Sequence, residues 1–128
     1  MSILRETRMR ALRGATTVEA DERGAVVSAT AELLQALLTR NDVDPDDVVS
    51  ILFTATDDVT AEFPAVAART VGLADVPLIC AREMQVRDSV RRCIRVMVHL
   101  YTGRSASELE HVYLRGAARL RSDLVAGS

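Results

Sequence analysis

The chain has 128 residues, with 16 basic side chains against 18 acidic ones and a pI near 5.7; its length suits one domain with a real core, and its charge does not suit a nucleic-acid binder. All sixteen basic residues are arginine, which excludes a Schiff base, a pyridoxal phosphate anchor and a P-loop lysine. Two phenylalanines and two tyrosines cannot supply a base-stacking surface, and no apolar run approaches the ~20 residues of a membrane span.

Cys80 and Cys93 are the two cysteines, with no CxxC pair and no signal-peptide pattern, so the expected compartment is the reducing cytoplasm. Charge is unevenly spread. Residues 14 to 75 hold three arginines against twelve acids, whereas residues 1 to 13 hold four against one and residues 76 to 121 nine against four. Basic ends surround an acidic middle, which permits a local anion site built from the two ends.

In chain order, residues 1 to 7 read as a loose start and Met9 to Thr17 as a first strand, with Met9, Ala11, Arg13 and Ala15 on one side. Gly14 in that strand suits either a close approach or a bulge. Asp21 is placed to cap a helix to about Asn41, whose Val26, Val27, Thr30, Leu33, Leu34, Leu37 and Leu38 recur at helical spacing. Asp44-Pro45-Asp46-Asp47 predicts a short helical turn, because the acid can cap, the proline suits the first helical position and the next acids complement the dipole.

Val48 to Ala55 is an almost unbroken apolar run, of the kind that forms a strand buried on both faces. Phe63-Pro64-Ala65 opens a second helix reaching Arg69 and Val71, which Gly72 closes. Val76 to Ala81 predicts a third strand, and Arg87 to Arg91 a polar connection. Arg92 to Tyr101 is the longest β-like run: Ile94, Val96, Val98 and Leu100 form an aliphatic face opposite Cys93, Arg95, Met97, His99 and Tyr101. Arginine cannot shed its charge, so Arg95 must reach water or meet an anion. Ser105 to Glu108 fits a capping box before His111-Val112-Tyr113-Leu114, and Gly116 to Leu124 reads as irregular, with residues 122 to 128 flexible.

The order β-α-β-α-β-β-β predicts a single α+β domain over residues 1 to 128, a five-stranded sheet with its helices on one face. The other face, carrying Arg13 and Arg95, then needs a ligand or a neighbouring subunit to cover it, and a symmetric oligomer is the economical answer. The residues that suit no plain structural role are Arg13, Cys80, Glu83, Arg95, Tyr113 and Arg121. Converging arginines suit a small polyanion, while Arg95 equally suits an internal salt bridge to Glu83 and Cys80 a small buried hydrophobe. No Cys/His/Asp cluster has metal spacing, and no nucleophile motif is present, so no metal or cofactor is expected and catalysis would rest on positioning and electrostatics.

Leu12-Arg13-Gly14-Ala15-Thr16-Thr17-Val18-Glu19, Phe63-Pro64-Ala65, Glu83-Met84, Cys93-Ile94-Arg95-Val96-Met97, His111-Val112-Tyr113-Leu114 and Leu120-Arg121 together resemble the small trimeric monofunctional chorismate mutases of bacteria, over about residues 9 to 124. The resemblance implies a mixed five-stranded sheet packed on a long helix, a homotrimer forming a pseudo α/β barrel, and clefts between subunits that rearrange chorismate to prephenate for phenylalanine and tyrosine synthesis. It implies that Arg13 holds a substrate carboxylate with help from Tyr113, that Arg95 donates to the breaking ether oxygen, and that Glu83 and the Cys80 region, Ile79 included, bind the ring hydroxyl. Phe63, Ala65 and Arg69 would line the cleft from the adjoining subunit's side, and Leu120 and Arg121 would belong to a tail that closes over it. Val66 stands where such sequences often have lysine. The second reading is a non-catalytic trimer that binds a small carboxylate in the same clefts.

Overall fold

The computed structural model describes residues 6–120; the readings placed on residues 1 to 5 and 121 to 128, Arg121 among them, lie outside that range. Strand β1 (Arg8–Thr17) is followed by helix α1 (Arg23–Arg40), a 3-10 turn at Pro45–Asp47, β2 (Val48–Ala55), a 3-10 helix at Pro64–Val71, β3 (Leu78–Arg82), β4 (Cys93–Thr102), a turn at Ala106–Glu108 and β5 (Val112–Tyr113). The five strands form one sheet in the order β3-β2-β4-β1-β5. β4 is central and runs antiparallel to both neighbours, while the two outer pairs, β2 with β3 and β1 with β5, are parallel. The sheet is therefore mixed, as the resemblance implied.

α1 lies against one face of this sheet through Val26, Ala29, Thr30, Leu33, Leu34, Leu37 and Leu38, all buried. Opposite them sit Leu12, Ile51, Phe53, Val96, Val98 and Leu100, each no more than 3% exposed. Each fully buried leucine or valine among these contributes about 1.5–3 kcal/mol relative to exposure. Gly14 explains how the helix gets so close: a Cβ there would stand 3.0 Å from the Cδ1 atoms of both Leu33 and Leu37. The β1 register with β4 is unbroken through Gly14, so the glycine serves close approach and no bulge.

Several local expectations are corrected. Asp21 does not cap α1, whose N-cap is Glu22 without a side-chain bond. Its carboxylate instead accepts from the Thr60 and Ala61 amides, both at 2.9 Å, and from the Thr60 hydroxyl, tying the loop after β2 to the start of the helix. Those three bonds hold its pKa below the ordinary value, since they favour the ionised form. β2 is not buried on both faces: Ile51 and Phe53 are buried, but Leu52 is 37% exposed, and its Ser50, Leu52 and Thr54 share the face away from α1.

β4 begins one residue later than its sequence suggests because Arg92 takes a left-handed conformation, φ 44°. The Asp58 carboxylate accepts the Arg92 amide at 3.0 Å and Val18 O accepts its Nε at 2.9 Å, which holds the strained residue in place. β3 starts two residues later than expected, at Leu78. The C-terminal segment is more regular than expected: Arg115–Ala117 forms a 3-10 turn and residues 118 to 120 continue helically. This segment also covers one end of the face expected to be bare, where Ala117 and Leu120 join Ala15, Cys93 and Tyr113 in a small cluster.

Candidate active site

Strand register decides which side chains meet on the face away from α1. Across the sheet, Thr54 of β2 opposes Arg95 of β4, Arg95 opposes Ala15 of β1, and Ala15 opposes Tyr113 of β5. One step along the strands, Ile79, Leu52, Met97 and Arg13 form the next row. The small Ala15 side chain between Arg95 and Tyr113 leaves room for a guanidinium and a phenol in one row. Glu83 follows β3, its amide donating to Ala55 O at 2.8 Å, so that its side chain comes up beside Thr54.

These rows enclose an open cavity of about 420 Å³, bordered by Arg13, Thr54, Glu83, Arg95, Tyr113 and Leu120. That volume is in the range of small-molecule sites, roughly 300–1,000 Å³. Glu83 Oε1 accepts from Arg95 Nε at 3.0 Å, and Glu83 Oε2 accepts from the Thr54 hydroxyl. The guanidinium is thus oriented by a carboxylate that is itself oriented, and it retains N–H donors over and above the one given to Glu83. Arg13 forms no ion pair among the described residues, so its charge is available to an incoming anion.

Cys93, next to Arg95 but directed into the small Ala15 cluster, is 2% exposed. Burial pushes its thiol up to about 11, against the opposing pull of the Arg95 charge. It is therefore a protonated packing residue at neutral pH and no nucleophile. No group of three or more His, Cys, Asp or Glu side chains among the described residues is arranged to hold a metal ion.

The remaining sequence-selected residues lie elsewhere on the chain. Cys80 opposes Phe53, which places it on the α1 side of the sheet, packed against the main core. Cys80 and Glu83 are three positions apart in extended chain, an odd separation, so the two cannot share a face. Cys80 borders a second cavity of about 360 Å³ together with Phe63, whose ring is 68% exposed. Ala65 packs against the core, Arg69 is exposed on the same 3-10 helix, and Ile79 is 64% exposed on the sheet face beyond the first cavity. Within one chain, then, Arg13, Glu83, Arg95, Tyr113 and Leu120 converge, and Cys80, Phe63, Ala65, Arg69 and Ile79 do not join them.

Thr54, Leu52 and Met97 were not among the site residues picked from the sequence, yet all three border the first cavity. The available signal was the alternation Ser50, Leu52, Thr54 inside the apolar run, which puts two hydroxyls four positions apart on one face.

The chorismate mutase type I family model matches residues 9–124. The chain belongs to the chorismate mutase type I family. It is 44% identical over 117 residues to chorismate mutase AroH of Thermus thermophilus, covering 91% of this chain and 96% of that one. With chorismate mutase AroH of Bacillus subtilis it is 41% identical over 117 residues, 91% and 92% of the two chains. A solved chorismate mutase from Clostridium thermocellum superposes with a TM-score of 0.84 at 42% identity, covering 86% of this chain and 98% of that one. The convergence of Arg13, Glu83, Arg95 and Tyr113 thus occurs on a chorismate mutase fold.

Proposed function

We propose that this protein is a chorismate mutase, an isomerase that converts chorismate to prephenate in the first cavity, as a step of aromatic amino acid synthesis in the cytoplasm. The observation that carries the reading is the pairing of Arg13, which forms no ion pair among the described residues, with Arg95, oriented by Glu83 and Thr54, across one open cavity. Chorismate carries two carboxylates and an enolpyruvyl ether. Arg13, with the Tyr113 hydroxyl beside it, binds a carboxylate of the substrate. Arg95 donates to the ether oxygen, and Glu83 accepts from the ring hydroxyl while keeping Arg95 aimed.

The rearrangement breaks a C–O bond and forms a C–C bond within one molecule, with no proton transferred and no covalent intermediate. A site without nucleophile, general base or metal is sufficient for that chemistry. What the site must do is hold the flexible enolpyruvyl arm over the ring and meet the negative charge that grows on the ether oxygen. Because Arg95 is already fixed by Glu83, little reorganisation is required as that charge appears.

The working unit in this reading is a homotrimer. Met9, Leu52, Ile79 and Tyr101 are 55%, 37%, 64% and 51% exposed on the face away from α1, an apolar strip that neighbouring subunits would cover. The same association would bring Phe63, Cys80, Ala65 and Arg69 of one subunit to the Arg95 cavity of the next, with Leu120 at the rim. Chorismate turnover by the purified protein, followed as loss of the substrate's diene absorbance and appearance of prephenate, tests the function. A folded protein without that activity would overturn it.

A further inference from the structure

On its β5 side, β1 gives one backbone amide to a side chain where a ladder carbonyl would stand. β5 pairs with β1 in parallel through Gly14 with Val112 and Ala15 with Tyr113, and Ala15 O accepts the Leu114 amide at 2.9 Å. Continued by one step, a parallel ladder would give the Arg13 amide to the carbonyl of Glu110. That carbonyl is already engaged: Asn41, 2% exposed at the end of α1, donates to it through Nδ2 at 2.9 Å and accepts the Glu110 amide through Oδ1 at 2.7 Å. The Arg13 amide goes instead to Nδ1 of His111, at 2.9 Å, across 98 residues of sequence.

We propose that His111 is a positioning residue for the substrate-binding arginine: its imidazole Nδ1 replaces the missing ladder carbonyl and fixes the β1 backbone at Arg13 against the segment that carries Tyr113. This inference rests on the proposed role of Arg13. Two anchors of one carboxylate subsite, Arg13 and Tyr113, sit on different strands joined by only two backbone register positions, so a third tie next to Arg13 controls their spacing. The bond requires a neutral ring with Nδ1 unprotonated, because an imidazolium has no acceptor.

The surroundings favour that form. Burial lowers the His111 pKa from its ordinary value, and the positive charge of Arg13 lowers it further. Of the other groups packed around it, Asn41 is uncharged, and the Glu110 side chain next in sequence is exposed. When pH falls well below about 6.5 the ring protonates, the Arg13 amide loses its acceptor, and a second cation stands beside the guanidinium. The substrate's carboxylates stay ionised until about pH 4, so weakened binding between those limits comes from the protein.

The test compares His111→Phe and His111→Asn with the wild-type protein. Phenylalanine keeps a ring but no acceptor; the asparagine Oδ1 sits where Nδ1 was and does not titrate. His111→Phe is expected to raise KM for chorismate roughly three- to ten-fold, the value of one hydrogen bond, with kcat changed much less. Wild-type KM rises on the acid side, below the ordinary histidine range, whereas His111→Asn keeps a near-normal KM that stays flat there. Unchanged kinetics in His111→Phe, or an acid-side rise in KM that persists in His111→Asn, overturns the inference. Hydrogen–deuterium exchange at the Arg13 amide reads the same bond without substrate: protected in the wild type and in His111→Asn, fast in His111→Phe. If the protein failed to turn over chorismate, the functional reading would fall while the exchange result still decided the role of His111.

Discussion

Replacing Arg95 by alanine separates transition-state stabilisation by this side chain from ground-state binding. The Arg95 and Glu83 side chains are 45% and 21% exposed, and an ion pair this open to solvent contributes no more than about 1 kcal/mol to folding. Its loss should lower the melting temperature by less than roughly 5 °C. The catalytic cost is of another order. A donor aimed at developing negative charge on oxygen supplies about 2.7–4 kcal/mol, so kcat should fall by ~10²–10³ while KM changes far less. Arg95→Lys is expected to recover little, because a lysine offers one compact ammonium where Glu83 takes Nε and the ether oxygen needs a further N–H from the same plane. Steady-state kinetics on chorismate with a parallel thermal melt give both numbers. A kcat within three-fold of wild type, with the whole effect in KM, would refute the assignment of Arg95 to the transition state.

Gly14→Ala is expected to destabilise the fold by about 1–3 kcal/mol, since the new Cβ meets Leu33 and Leu37 at 3.0 Å and the Val112 carbonyl at 3.1 Å; urea denaturation checks it, and an unchanged midpoint contradicts the packing argument. Cys93 should resist thiol reagents at pH 7 in the native protein, being buried and raised to about 11, and should react only on unfolding; prompt labelling would contradict its placement. Acid should loosen the loop after β2: the Asp21 and Glu62 pKa values are lowered in the fold, by the Thr60 and Ala61 bonds and by the Phe63 amide and Arg23 respectively. Their contribution is therefore present above the ordinary carboxylate range and lost as pH falls through and below it. In Asp21→Asn, proteolysis at residues 56 to 62 should already be faster at neutral pH, and equal rates would dismiss the tie.

The sequence by itself determined the elements and their type. Alternation at period two marked β1 and β4 to within a residue, helical spacing marked α1, and the Asp44-Pro45 pair marked its turn, because each signal is carried by side chains adjacent along the chain. It also pointed to Arg13 and Arg95, since charge on an otherwise apolar strand needs a reason to be there, and the family resemblance of its motifs added roles for Glu83 and Tyr113. It could not determine which of these meet. That depended on β4 taking the centre of the sheet, on the register that sets Thr54 and Ala15 on either side of Arg95, and on the parity that turns Cys80 to the face opposite Glu83. The Asp21 tie, the left-handed Arg92 and the bond from the Arg13 amide to His111 were equally out of reach. Hydrogen bonds between residues 34, 40 or 98 positions apart exist only once the strands have been ordered, and strand order is a property of the packed sheet, which no local stretch of chain encodes.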